Sequence, residues 1–449
     1  MLSHHPTRRS ALLGTAAALL NPLRSQVQSA PFRIGIAETP ITPSWPTTLW
    51  GYDNTTHYTN GVLDDIFAKA FLFENGKQFL VITLDVGAIG FDFTRRVYRR
   101  IHEEAKLAED SVSITCTHDH SAPALLPIPS LPADRRFQIL LEDKLVELAK
   151  QAKKNLTAAT LEFGQIESSI GLNRRVGNRA NTWNKDSGPI DPTFSVLLAK
   201  SPEGKNLGVL VNYPSHPVTL REDNDKVSAD FPGVLYKELG SSLNCPVMYL
   251  QACCGDVIPK VFGGVKEMNE YGKKMAEEAR RALAAAKPLS SPTVNYLSTR
   301  VVMTFVAPVP LDEFRANYSK YFRGSHYMQL WAENYLRYLE DGGDLRQSRD
   351  SVVKAASVGG LSFAFLPGEI LHLTSVLIRK EFPGRKLIVS GYSNDTSVGY
   401  LPHADEFPLG KYEVEDAWKY YDTLRTTPQM EKDVRETAIA LLRELTAGS

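Results

Sequence analysis

The stretch Ser111-Val112-Ser113-Ile114-Thr115-Cys116-Thr117-His118-Asp119-His120-Ser121-Ala122-Pro123 carries the decisive pattern. Its first part is short, β-branched and bounded by polar residues, which predicts a strand. On a strand, side chains i and i+2 point the same way, so His118 and His120 reach one face together. Imidazole is the commonest protein ligand for zinc-like metals. Pro123 cannot donate to a ladder, so it stops the strand and holds the loop. Taken alone, two histidines at a strand end are more often a solvated polar edge than a metal site. The rest of the chain decides between these readings.

Working outward, apolar runs with strand character alternate with helical patterns. Gln78–Asp85, Leu207–Tyr213, Pro246–Leu250, Leu361–Leu366 and Lys386–Tyr392 read as strands. Phe93–Leu107, Phe137–Asn155, Lys266–Ala286, Glu369–Phe382 and Gln429–Leu445 read as helices. The expected class is α/β, with mixed sheets flanked by helices. Ala307–Gly343, rich in Tyr, Glu and Arg, reads as a helical insertion or lid.

Several of these strands end in chemistry. Val211 leads into Tyr213-Pro214-Ser215-His216-Pro217, where two prolines hold a histidine rigidly. Leu250 leads into Gln251-Ala252-Cys253-Cys254-Gly255-Asp256, and Leu366 into Pro367-Gly368-Glu369. Gly399-Tyr400-Leu401-Pro402 and Gly410-Lys411-Tyr412-Glu413 follow in a long loop. Active sites of α/β proteins gather at strand ends. Two histidines with a carboxylate form a common catalytic zinc set that leaves a position open for water.

Composition sets limits on partners and compartment. The 449 residues carry 51 Lys+Arg and 51 Asp+Glu, so no net charge draws the chain to nucleic acid or an anionic membrane. Thr7-Arg8-Arg9-Ser10 precedes a short, weakly apolar run that cannot span a bilayer. Residues 1–30 therefore read as a twin-arginine (Tat) signal, cut near Ser29 or Ala30, and residues 31–449 as one exported domain in the periplasm or outside the cell. No later segment reads as transmembrane. Cys116, Cys245, Cys253 and Cys254 have no Cys-x-x-Cys spacing and read as small buried hydrophobes.

The chain resembles the neutral, non-lysosomal ceramidase family. The resemblance runs through Ile34-Gly35-Ile36-Ala37-Glu38-Thr39-Pro40-Ile41-Thr42-Pro43, Gly51-Tyr52, Thr117–Pro123, Asn173-Arg174-Arg175 and Ser215-His216-Pro217. It continues through Ser228–Gly233, Gln251–Pro259, Leu366–Glu369 and Gly399–Pro402. It implies a ceramidase-like catalytic fold and one Zn2+ held by His118, His216, Glu369 and Tyr400. It also implies that His120 and Tyr412 touch the scissile amide or its oxyanion.

Three departures stand out against that family. Asp119 and Ala122 replace the usual Thr and Gly of the His motif. Ile258 and Lys260 replace the Ser and Asn of its Gly-Asp-Val-Ser-Pro-Asn loop, removing the proposed nucleophile. The family's C-terminal immunoglobulin-like domain is expected to be missing. The expected protein is thus a zinc-dependent hydrolase in which metal-activated water attacks an amide or ester. His120, Asp119 or Asp256 would shuttle the proton, Tyr412 or His120 would hold the oxyanion, and Arg174, Lys260 and Asn394 would bind substrate. The substrate would be a small molecule or lipid-like, with ceramide expected to be turned over poorly. The alternatives are a glycosidic hydrolase on the same scaffold and a non-catalytic secreted binding protein.

Overall fold

The computed structural model describes residues 32–52, 58–175, 188–290, 293–321, 326–343, 345 and 347–447. All belong to the unit Pro31–Ser449, so the twin-arginine segment lies outside the described residues. Among the described residues the strands form three larger sheets and two short pairs. The first sheet runs Val112–Cys116, Lys77–Leu84, Phe67–Asn75, Arg33–Pro40, Thr157–Ala158. The second runs Val247–Gln251, Asn206–Tyr213, Thr193–Lys200, Thr160–Glu167, Lys287–Pro288. The third runs Val294–Thr304, Ser348–Val358, Leu361–Phe365, Leu387–Ser390.

Strand alternation builds the layers. Phe71, Phe73, Phe79 and Val81 point into an apolar cluster shared with Leu197, Leu210 and Met248 of the second sheet and Phe363, Phe365 and Ile388 of the third. Their neighbours Ala70, Leu72, Leu80 and Ile82 face the other way. They pack under the helices Phe91–Ala105 and Arg135–Lys154. The helices Phe231–Leu243 and Val265–Ala284 cover the second sheet likewise, and Pro428–Ala447 covers the third. The mixed α/β expectation holds, with helices outside and three sheets sharing an inner core. At Gly35 a Cβ would collide with the carbonyl of Ala152, so glycine lets the helix Arg135–Lys154 lie directly on its strand.

Each larger sheet contributes a parallel strand pair: Lys77–Leu84 with Val112–Cys116, Asn206–Tyr213 with Val247–Gln251, and Leu361–Phe365 with Leu387–Ser390. The segments leaving their C-terminal ends converge, as the crevice rule for open sheets expects. One boundary differs from the sequence reading. Glu369 does not open a helix. It lies in a two-residue strand with Ile370, and the helix begins at His372. That strand pairs in parallel with Tyr400-Leu401, with Glu369 opposite Tyr400. The four cysteines are buried and free.

Candidate metal centre

His118 leaves its strand in a left-handed conformation (φ 66°), uncommon for a side chain of this size. Backbone strain of this kind is tolerated where the surroundings fix it. Gln251 supplies part of that fixing: its amide donates to the carbonyls of Thr117 (2.7 Å) and Ser215 (2.9 Å), joining the two histidine-bearing segments. His118 Nδ1 lies 2.6 Å from the Gly87 carbonyl and His216 Nδ1 lies 3.1 Å from the Val257 carbonyl. A carbonyl only accepts, so both Nδ1 atoms carry the proton and both Nε2 lone pairs face inward.

Those lone pairs meet a carboxylate. Glu369 Oε2 stands 3.2 Å from His118 Nε2 and 3.5 Å from His216 Nε2. All three side chains are at most 3% exposed. Ligand atoms about 2.0–2.1 Å from a tetrahedral zinc lie roughly 3.4 Å from one another. Three acceptors turned together in a buried site form a set that a cation would satisfy. His118, His120 and His216 also offer ring nitrogens that all lie within 4.8 Å of one another, a group able to hold a metal ion. The donor set thus fits zinc.

Arg174 supplies positive charge in this arrangement. Its Nη2 donates to the Gly255 carbonyl (2.8 Å) and the Tyr400 hydroxyl (2.8 Å), and lies 3.2 Å from His216 Nε2. It links Tyr400 to the histidine cluster. His120 Nε2 is 3.2 Å from His118 Nε2, and its ring packs edge-on against Tyr52 and Trp50. Tyr412 sits outside Tyr400, with ring centroids 6.0 Å apart, over the guanidinium of Arg175.

Electrostatics follow from burial and these neighbours. Burial, then the Arg174 charge, push His216 down to about 3, so its ring is neutral near pH 7. Burial and the two other histidines hold His120 well below the usual value. Burial opposes ionisation of Glu369, but His118 and His216 outweigh it and keep the carboxyl well below the usual range. Burial raises Tyr400 well above the phenol value, with Glu369 adding to the rise and Arg174 opposing it.

Four residues assigned to the site from sequence have side chains turned to other partners or to solvent. The Asp119 carboxylate turns back to accept from the Ser121 amide (2.9 Å), and burial with Asp230, Asp85 and Asp64 nearby raises its pKa well above the usual value. The strand ends at Cys116 and His118 turns left-handed, so the alternation expected of a strand does not govern Asp119, whose side chain is fully buried. Asp256 accepts from the ring (2.6 Å) and backbone (2.9 Å) of His372 and from Asn173 (3.1 Å), so it is engaged away from the histidines. Asn394 is buried, and its Oδ1 accepts from Tyr98 (2.7 Å) and Ser113 (3.0 Å). Lys260 is exposed beyond the strand end. Ile258 is fully buried with Leu172 and Val218, so position 258 faces a small core.

Sequence reasoning missed Tyr421 and Tyr392. Tyr421 donates to Glu369 Oε1, and Tyr392 donates to Oε2 at 3.3 Å. Neither sits in a recognisable motif. Trp50, one residue before the Gly51-Tyr52 pair, packs edge-on against His118 with centroids 5.5 Å apart. At Gly51 (φ 113°) a Cβ would collide with the His120 ring, which explains a glycine there.

The family model for the N-terminal region of neutral/alkaline non-lysosomal ceramidases matches residues 32–273. That range holds His118, His120, Arg174 and His216 but not Glu369 or Tyr400. The neutral ceramidase of Pseudomonas aeruginosa is 24% identical over 240 residues, which is 50% of this chain and 36% of that protein. The aligned region spans about a third of that relative's length. A crystal structure of neutral ceramidase from Pseudomonas aeruginosa superposes with a TM-score of 0.73 at 17% identity, covering 92% of this chain and 75% of that one. A ceramidase complexed with C2 gives 0.73 at 18% identity with the same coverage. At these identities the structural likeness shows the fold. The family match, spanning more than half of the chain, shows the membership: this protein belongs to the neutral/alkaline non-lysosomal ceramidase family.

Proposed function

We propose that this protein is an exported, zinc-dependent hydrolase that cleaves an amide or ester bond with metal-activated water. One observation carries the reading: His118 Nε2 and His216 Nε2, each with Nδ1 tied to a carbonyl, converge on Glu369 Oε2 at 3.2 and 3.5 Å. His118, His216, Glu369 and Tyr400 are the proposed ligands. Zinc held there supplies Lewis acidity and lowers the pKa of water from about 15.7 toward about 7.

The chain's own groups do the rest. His120 stands beside His118, their Nε2 atoms 3.2 Å apart, where it would accept a proton from attacking water and return it to the leaving group. Burial keeps the Tyr412 hydroxyl protonated, so it can donate to a developing oxyanion. Such a donor contributes about 3 kcal/mol in other enzymes. Arg174 holds Tyr400 through a charge-assisted bond and presents a cation to the substrate carbonyl. Asp256 positions the His372 turn beside Glu369 and takes no proton from water. With Ile258 buried, attack by a side chain at that position is excluded from the scheme.

Of the two loop departures, Lys260 is exposed and Ile258 faces a small core. The proposed substrate class is an acyl amide or ester, with N-acyl-sphingosine inside it. Export rests on Arg8-Arg9 and the apolar run that follows. Residues 31–449 are proposed as one metallohydrolase domain. The test is a hydrolysis screen of zinc-loaded protein against N-acyl lipids, simple amides, esters and glycosides. Turnover of an amide or ester, lost on chelation, supports the reading. Turnover confined to glycosides contradicts it.

A further inference from the structure

Within the stretch 307–343, the helix His326–Glu340 packs against the loop that carries the site's tyrosines. Tyr327, 1% exposed, stacks on Tyr420 with centroids 4.0 Å apart and planes 11° from parallel. Its hydroxyl donates to the Lys419 carbonyl at 2.9 Å. Tyr420 meets Tyr412 edge-on at 6.1 Å, and Tyr412 meets Tyr400 at 6.0 Å. The next residue, Tyr421, donates to Glu369 Oε1. A second clamp lies alongside: Trp331 meets Trp418 at 4.9 Å and 89°. Lys419 Nζ, bonded to Asp416 (2.7 Å), lies 5.4 Å from the Trp331 ring centroid.

Buried aromatic pairs contribute beyond their area, and close-packed contacts transmit position. Residues 418–421 are thus gripped from the insertion on one side and tied to Glu369 on the other. We infer that the insertion is a fixed buttress, not an opening lid, and that Tyr327 is a positioning residue that sets Tyr421 against Glu369 and Tyr412 against Tyr400. This rests on the reading of the cluster as a zinc centre. Outer-shell partners of a metal ligand, when removed, typically cost about 10- to 100-fold in metal affinity or activity.

The experiment measures zinc affinity of the full chain by competition with a chromogenic chelator, alongside the thermal midpoint. Tyr327→Leu removes the stack. Tyr420→Leu breaks the same stack from its half-buried side and guards against a Tyr327 variant that does not fold. Tyr327→Phe keeps the stack and loses only the hydroxyl. The expected result is zinc affinity lowered about tenfold or more in both leucine variants, largely rescued in Tyr327→Phe. Combined with Tyr421→Phe, Tyr327→Leu should add little further loss. A lowered midpoint with wild-type zinc affinity would show packing alone and overturn the inference. Failure of the wild-type chain to bind zinc overturns the underlying reading and the inference with it.

Discussion

Asp256 and His372 form a buried pair in which both carboxylate oxygens are used: Oδ2 faces the imidazole at 2.6 Å and Oδ1 accepts the backbone amide at 2.9 Å. The amide bond satisfies an orphan donor at the start of the helix His372–Lys380, a capping role supplied from another segment. The backbone around Asp256 is equally committed. Its carbonyl accepts from the Arg174 amide, Gly255 bonds Ile370, and the Val257 carbonyl holds His216. A residue that reads as a proton shuttle in sequence is therefore a structural hub beside the site.

That pairing predicts a pH window. Burial opposes the charge on both partners, but the pair overcomes it, holding Asp256 below its usual 3.8 and His372 above its usual 6.5. The Asp256 contribution is present above 3.8 and fades as pH falls through its depressed value. The His372 contribution is full below 6.5 and fades as pH rises through its raised value. Asp256→Ala should cost about 3 kcal/mol, measured by denaturant unfolding. The difference from wild type should be greatest between roughly pH 4 and 6.5 and narrow on the alkaline side. A pH-independent difference would contradict the ion pair.

Asp119 should behave oppositely. Its raised pKa means the buried carboxyl stabilises the fold while protonated, and that stability is lost as pH rises through the raised value. Asp119→Asn preserves the acceptor for Ser121 and cannot ionise. Its thermal midpoint should be flatter than wild type as pH rises above 3.8, with hydrolysis retained within about threefold, a small fraction of the 10²–10⁴-fold range of general acid–base catalysis. Loss of about 100-fold or more in activity would return Asp119 to the catalytic set.

Gly51→Ala tests the role of His120. The added methyl, in a left-handed backbone, meets the His120 ring. Displacement of a catalytic group by about 1 Å costs about 100-fold in rate. Zinc content should stay at wild-type level, because His118, His216 and Glu369 are untouched. Loss of zinc together with activity would make His120 a ligand and displace Tyr400 from that place.

Ile258→Ser should give no nucleophile. The side chain is fully buried, so the change leaves a cavity and an unpaired hydroxyl. A loss of about 3 kcal/mol in stability is expected. Rapid-quench kinetics of wild type should show no burst and no acyl adduct, whereas a trapped adduct would contradict attack by water.

Much of the architecture was legible because periodicity reports burial directly. The run Phe79–Leu84 alternates between two cores and reads as buried from either side. His118, His216, Glu369 and Tyr400 were legible as strand-end residues and through family resemblance. Glu369 itself was misread as a helix start, because a Pro-Gly-Glu turn before an apolar run looks the same whether a strand bridge intervenes or not. The partners of Asn394 and Asp256 were not legible, because polarity beside a motif says nothing of direction. Tyr421 was invisible, since its partner Glu369 lies 52 positions away.

The central claim is that His118, His216 and Glu369 hold zinc. The most direct measurement is metal content and zinc affinity of wild type against His118→Ala, His216→Ala and Glu369→Gln. One zinc per wild-type chain, a large loss of affinity in each variant and hydrolysis that follows the metal are expected. Wild-type protein that stays metal-free in excess zinc, or variants that bind as wild type does, would contradict the account.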